Sequence, residues 1–534
     1  TSTGEISGSA TSTGSFGALT IGGSTLNANL ISGRVGIGTT SPGARLDIRA
    51  ATGEDALHCY DRNGAIMFEI DQFGQILSYN GIANTASSGT AWAFSTGATS
   101  VLKLDNNSLI SLSNNDSNTG NTIIGKSIFN NSSNNDSDYN TLMGADVMGT
   151  GAVAGASHNV GIGSSALNDA TTASDNIAIG SSAMLNSTTA DNNVVIGREA
   201  IGSGVSTGND NIVIGKSAGL TLTSGANNTI IGAYAGDAMT TQDNCILIGY
   251  NAGTAINNNV ANGTTIVGRD AGERLTNGTK NTAMGYSALT GNHQGGHNTV
   301  IGYESARGVT DNAHSYNSAV GYRSLYAVTS GGSNTVMGYL AGSAITTGGN
   351  NTALGANALK TSIDVQYAVA IGESAMADGD VTAAADATVA IGYQALKALT
   401  SGGGNIAVGF EAGLLVTDNT DNVMIGHQAF NASDSGDSEN VVIGSNAGGA
   451  INHGSSDGNV LIGLSAGLGG AAALADCVVI GKNAMKSTAG NAQSGTVAIG
   501  KDALTALTTG QYNTAIGFEA GLVFTELDKN TLIG

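Results

Sequence analysis

Asn281-Thr-Ala-Met-Gly285, Asn298-Thr-Val-Ile-Gly302, Asn351-Thr-Ala-Leu-Gly355 and Asn513-Thr-Ala-Ile-Gly517 are copies of one five-residue motif. Counted by the closing glycine, the motif occurs 24 times between Gly125 and Gly534, and Gly180, Gly232, Gly302, Gly355 and Gly517 are among its glycines. The 23 intervals run from 17 to 20 residues, and 13 of them are 17. A fixed period of this length is the signature of a stacked repeat architecture. The residue before each closing glycine is always Ile, Val, Leu or Met, and the residue three before it is always Thr, Val, Ile or Ser. Side chains alternate along a strand, so these two columns share one face. The column between them is apolar in every copy except Gly161.

Both faces of the strand therefore read as dry. A solenoid strand with one wet face alternates apolar and polar residues, whereas strands covered on both faces read as continuous apolar runs. The pattern predicts a β-solenoid or β-roll of about 24 coils over residues 121–534 whose second face is covered by further copies of the chain, as a homotrimer or another closed ring. Three residues after the glycine stands Ala or Ser in 21 of 23 readable copies, the exceptions being Ile128 and Val147, which predicts a tight second strand. The recurrent Thr shares its face with Ile or Val, which points it inward and weighs against an ice-binding array. Asn stands four before the glycine in 18 of 24 copies, Asn176, Asn228, Asn298, Asn351 and Asn513 among them. There it can close a turn through its amide or ladder along the stack. Cys245 and Cys477 occupy the same column and read as small buried residues filling that site. The polar stretches between copies read as rim loops, where length changes collect.

Composition agrees with a thin repetitive β structure. Of 534 residues 81 are Gly and one is Pro, with 40% hydrophobic, 4% aromatic and 11% charged, which excludes collagen, coiled coil and an ordinary large-cored globule. The 19 basic against 40 acidic residues give a net charge of −21, which repels nucleic acid and anionic membrane surfaces. An odd three cysteines, Cys59, Cys245 and Cys477, cannot staple the chain. No apolar run approaches the roughly 20 residues of a membrane span. The start lacks a Met or signal core, and the array stops at Gly534 without a polar cap, so the chain is expected to continue beyond both ends.

Ahead of the array lie a Ser/Thr/Gly-rich lead over 1–33, a small β unit over 34–104 whose end Trp92 and Phe94 are expected to plug, and an Asn/Ser-rich connector over 105–120.

No catalytic constellation emerges. His293 and His297 are four apart, but Gln294-Gly-Gly between them offers neither the helix nor the Glu of a zinc hydrolase. The many G-x-G matches, Gly36-Ile-Gly38 and Gly161-Ile-Gly163 among them, are not followed by helices. Glu304, Glu411 and Glu519, two residues after closing glycines, read as exposed rim charges rather than a catalytic pair. The expectation is a non-enzyme without cofactor or metal. One regularity remains: Tyr250, Tyr286, Tyr303, Tyr322, Tyr339 and Tyr393, with Phe410 and Phe518, stand directly after closing glycines. Such a stripe either stacks on sugars or packs between neighbouring chains.

Val35-Gly-Ile-Gly-Thr-Thr-Ser-Pro-Gly-Ala-Arg-Leu-Asp-Ile48 resembles a signature of bacteriophage tail fibres and other long virion fibres. The array over 121–534 resembles repeats of such fibres and the shorter repeats in the β-roll heads of trimeric autotransporter adhesins. The resemblance implies a parallel homotrimer in the virion tail, a structural shaft held by other tail proteins and directed at a host-surface glycan or protein receptor, with no nucleic acid and no membrane insertion. A cellular trimeric adhesin or extracellular filament subunit at the bacterial surface is the alternative, and a glycan-cleaving tailspike a more distant one, since it needs paired acids. The copies are longer than the adhesin repeat, so coil handedness does not carry over.

Overall fold

The computed structural model describes residues 120–534 except 129–136, 150–152, 258–260, 310–311, 434, 471 and 489–490, and before them the backbone of ten short strands. The chain divides into two compact units, residues 1–106 and 107–534. In the first, the strands pair locally: Val35–Ile37 runs parallel to Leu46–Ile48, while Leu57–Tyr60, Ile66–Ile70 and Ile76–Ser78 form an antiparallel sheet. The side chains of the lead, the small β unit and the connector, Trp92 and Phe94 included, lie outside the described residues.

In the second unit each motif copy forms one short strand, and the copies stack in parallel. Thr299, Val300 and Ile301 face Ser318, Ala319 and Val320 one rung further on. The same register repeats through 24 parallel strands from Thr122–Lys126 to Thr531–Ile533, making about 23 turns of a β-solenoid, and Ser108–Ser111 pairs antiparallel with the first of them. No α-helix occurs among the described residues. A three-residue strand is far too short to stand alone. Each rung is held by the rungs beside it, as in any solenoid.

The closing glycine is fixed by two constraints at once. Its φ lies between +131° and +150° at every copy from Gly125 to Gly517, a region that a side chain rarely enters. A Cβ on Gly302 would also press into the carbonyl oxygen of Gly321 on the next rung. Three further positions per coil are left-handed as well: the residue two after the glycine, such as Glu304 (φ 50°), the residue four after it, such as Leu325 (φ 53°) or Gly342 (φ 53°), and the residue before the Asn column, such as Tyr316 (φ 61°). Left-handed backbone costs an ordinary residue on the order of 1–2 kcal/mol. That cost is offset between coils, where the Glu304 N–H donates to the Tyr286 carbonyl at 2.9 Å and the Tyr316 N–H to the Gly296 carbonyl at 3.1 Å. The stacking ladder thus runs on past both ends of the strand.

Inside the coil the core is thin. The middle strand residue points inward and is fully buried, as at Ala283, Val300 and Ala353. It meets the small column three after the glycine, Ala288 and Ala358 for instance, and larger residues such as Leu275 and Ile345. The small column lies in turns, so the expected second strand is absent from most coils. A second short ladder, Leu474–Ala475 with Gln493–Ser494, occurs at a different place on the coil. The Thr column is also not inward. Thr299 and Thr335 are exposed beside Ile301 and Met337, because the inward side belongs to the middle residue alone.

The Asn column forms a ladder within the chain. Asn176, Asn228, Asn298, Asn351 and Asn513 are all buried. The Asn351 backbone N–H and its Nδ2 both donate to Asn334 Oδ1 at 3.0 Å, Nδ2 donates also to the Val365 carbonyl at 2.7 Å, and Asn351 Oδ1 accepts the Ala368 N–H at 2.9 Å. Every polar atom of the amide is used, which is what burial requires. The left-handed residue is the one before the Asn, not the Asn itself. The ladder breaks where Cys245 and Thr264, Ala368 and Thr388, or Cys477 and Thr496 take consecutive places in the column. Both cysteines are buried free thiols, and burial pushes the Cys477 thiol up to about 11.

Two stretches of the interior are polar. His314 is fully buried with Asn317 Nδ2 donating to its Nδ1 at 3.3 Å, and the hydroxyls of Ser305 and Ser324 bond at 2.7 Å in a column that is Ala elsewhere apart from Ile128 and Val147. Further along, the buried Asp437 carboxylate accepts the Ser433 hydroxyl at 2.9 Å and the Ser456 N–H at 2.8 Å. Burial raises its pKa, and these hydrogen bonds oppose the rise.

Candidate interaction face

The first and third residues of every strand point away from the core. Among the described residues nothing covers the two parallel columns of Thr, Ser, Val, Ile, Leu and Met that they form. Ile246 is 40% exposed, Ile301 39% and Met337 53%, while the middle residues between them are sealed. With rungs about 4.8 Å apart and the columns about 7 Å apart, the face is on the order of 115 Å long and presents roughly 800 Å². That exceeds the largest apolar patch of a typical monomer, about 300–600 Å².

The aromatic residues border this face. The residue after the closing glycine forms one of its edges, here called the trailing edge. Tyr286, Tyr303, Tyr322 and Tyr339 stack there in one continuous column, with ring centroids 5.1, 5.4 and 5.3 Å apart and planes within 14° of parallel. Tyr393 stacks on Phe410 at 5.1 Å, and Phe410 on His427 at 5.1 Å. Tyr250 stands apart, edge-on to Tyr234 at 6.0 Å. The sequence stripe is therefore two stacks and two separate rings, Tyr250 and Phe518, the latter with the Lys501 ammonium over it at 5.0 Å. Within a stack the ring faces are occupied by neighbouring rings, which leaves ring edges and hydroxyls to solvent.

The same column carries residues that the sequence reading passed over. His427 extends the second stack, and Lys126, Arg198, Lys216, Arg269, Lys482 and Lys501 occupy equivalent places on other rungs, against one acid, Glu373. Their shared offset from the glycine was the available signal. The opposite border, the leading edge, is the left-handed residue before the Asn column. It holds five acidic residues, Asp210 and Asp476 among them, against Lys280 and Lys529. Aromatics stack here too, His297 on Tyr316 at 5.1 Å and Tyr139 on His158 at 5.0 Å.

Two further readings are corrected or completed by the geometry. Glu304 is not a rim charge: it is 8% exposed and held by Arg323 at 2.7 Å and Arg307 at 3.9 Å, with Arg323 lying over Tyr322 and Tyr326. Glu411 is half-buried and accepts the Gln428 amide at 2.8 Å, whereas Glu519 is exposed. His297 is engaged by Tyr316, and among the described residues no three His, Cys, Asp or Glu side chains gather as a metal site. No helix among them is long and apolar enough to cross a membrane. No protein-family model and no curated protein matches the chain.

Proposed function

We propose that the chain is a structural shaft that assembles with copies of itself, as a homotrimer, into a long fibre of the bacteriophage tail-fibre kind, presenting or contributing to attachment at a host surface. The observation that carries this reading is the exposed face along the stack, one column of which is Ile, Val, Leu or Met on every rung while the other alternates between Val or Ile and Thr or Ser. Apolar surface is driven out of water at about 25 cal/mol per Å², and a face of this size is comparable to the roughly 800 Å² per partner of a stable complex. A second copy supplies a surface of matching length and period. The outer wall, with its acidic loops, stays wet and keeps the fibres apart.

A cellular adhesin or extracellular filament subunit has the same physical requirements. The two sources are separated by whether the polypeptide is found in virions or on cells, by immunogold labelling of each. The assembly itself is tested by native mass measurement and electron microscopy of the purified chain. Rods at three times the chain mass are expected; monodisperse monomers at micromolar concentration would overturn the proposal.

A further inference from the structure

The two edges of the apolar face differ in sign, and this bears on how copies join, given the assembly proposed above. We propose that copies pair edge to edge around a common axis, with the trailing edge of one chain against the leading edge of the next, all chains parallel and in register. The trailing edge carries six basic residues and one acid; the leading edge carries five acids and two bases. Copies that turn their faces to a shared axis bring neighbouring edges together. If neighbours were antiparallel, each trailing edge would meet another trailing edge, basic against basic. Parallel neighbours in register place basic against acidic on two rungs and like charge against like on none; like charges juxtaposed at a contact oppose association while opposite ones favour it and fix register.

A closed rotational arrangement also holds equal rungs at equal height, so the residues that meet are those flanking the same strand. Asp210 then faces Lys216 of the next copy, Asp476 faces Lys482, His297 faces Tyr303, Tyr316 faces Tyr322 and Tyr512 faces Phe518. All ten are exposed in the single chain. On no described rung do the two edges carry charges of the same sign. The aromatic stacks of the two edges overlap in height at His297–Tyr316 and Tyr303–Tyr322. Their clustering on the same rungs gives the ring an aromatic contact between charged ones.

The test introduces one cysteine on each edge of one rung, Asp210→Cys with Lys216→Cys, in a Cys59→Ser background; Cys245 and Cys477 are buried. The strand and its flanking residues separate the two positions within a chain, beyond the roughly 4.4–6.8 Å that a disulfide spans between Cα atoms. Oxidation is expected to link most of the protein into a covalent species that stops at the copy number of the particle, read on a non-reducing gel. Particles of unchanged native mass that fail to cross-link would overturn the edge pairing while leaving the assembled shaft standing. Monomers before oxidation would overturn both. As a second readout, Asp210→Lys is expected to weaken association at low salt about tenfold, and the exchange Asp210→Lys with Lys216→Asp to restore it; no rescue counts against the pairing.

Discussion

Val300 and Ile301 are neighbours on one three-residue strand, with the same hydrocarbon character and the same hydrogen-bonded surroundings, yet one is sealed and the other is 39% exposed. The difference is one of direction alone. The middle residue looks across a coil so thin that Ala, Val or Leu fills it, and the flanking residues look out along a flat wall. A solenoid with a single fold requirement would leave that wall polar. Keeping one of its two columns aliphatic on every rung serves contact with something else, and the inner and outer columns should respond to substitution in opposite ways.

Val300→Asp puts a carboxylate into the apolar interior without a partner and is expected to cost more than about 4 kcal/mol, opening the coil locally. Ile301→Asp is expected to leave the coil formed, with unchanged strand signal in circular dichroism, while raising the concentration at which particles dissociate. Amide exchange along Thr299–Ile301 and native mass read the two effects separately. If Ile301→Asp melted the coil as Val300→Asp does, the division into an inner and an outer face would be wrong.

The polar stretch around His314 is a second contrast with the Ala-lined interior. Burial lowers the His314 pKa from 6.5 to about 4. The folded chain therefore holds the ring neutral where the unfolded chain protonates it, so stability is complete above pH 6.5 and falls as the pH drops from 6.5 to 4. A shift of this size corresponds to about 3 kcal/mol. Exchange protection of the strands Thr299–Ile301 and Ser318–Val320 should decline over that window, and His314→Gln should flatten the decline. Protection of Thr335–Met337 and beyond should change less, since a solenoid transmits stability mainly between neighbours.

Much of this fold is legible in the residues. The period, the single strand before each glycine and the place of the Asn column all follow from spacing, because each is fixed by a contact between equivalent residues one rung apart. What could not be read is direction. With Thr, Ala and Ile all compatible with a dry strand, nothing in Asn298-Thr-Val-Ile-Gly302 says which side faces the coil, and the shared face of Thr and Ile suggests an inward Thr column where the column points out. The second strand was inferred from small residues such as Ala288, but smallness there answers to a thin interior, not to strand pairing. Glu304 reads as a rim charge in the sequence because its partner Arg323 lies a full coil away. The edges went unseen for the same reason: their complementarity exists only once rungs are stacked.

The unbroken Asn ladder and its gaps give a third comparison. Asn351→Ala removes the acceptor of the Ala368 N–H and the donor to the Val365 carbonyl, leaving two buried backbone groups unpaired. A loss of about 2 kcal/mol is expected, read as faster exchange of the Ala368 amide. Ala368 stands in the same column with no such side chain, and Ala368→Gly should change stability by no more than about 1 kcal/mol. Equal effects at the two positions would mean that the ladder contributes little beyond the strands.

The smallest expected effect separates packing within a chain from packing between chains. Tyr322 sits mid-stack, 5.4 Å from Tyr303 and 5.3 Å from Tyr339, and about 40% exposed. An aromatic pair contributes about 0.5–1.5 kcal/mol beyond its buried area, and exposure puts these two contacts at the low end. Tyr322→Ala should thus cost the isolated coil about 1 kcal/mol, measured on dilute protein where particles have dissociated. In the assembled particle the same substitution also removes a contact with Tyr316 of a neighbouring copy if the edges pair as proposed, so the loss should be larger at high concentration than at low. Tyr393, whose rung carries Ala387 on the leading edge, supplies the internal reference: Tyr393→Ala should show a smaller dependence on concentration. A concentration dependence equal at both tyrosines would place the stacks away from the contact between copies, and would assign them to the outer wall, free for a ligand.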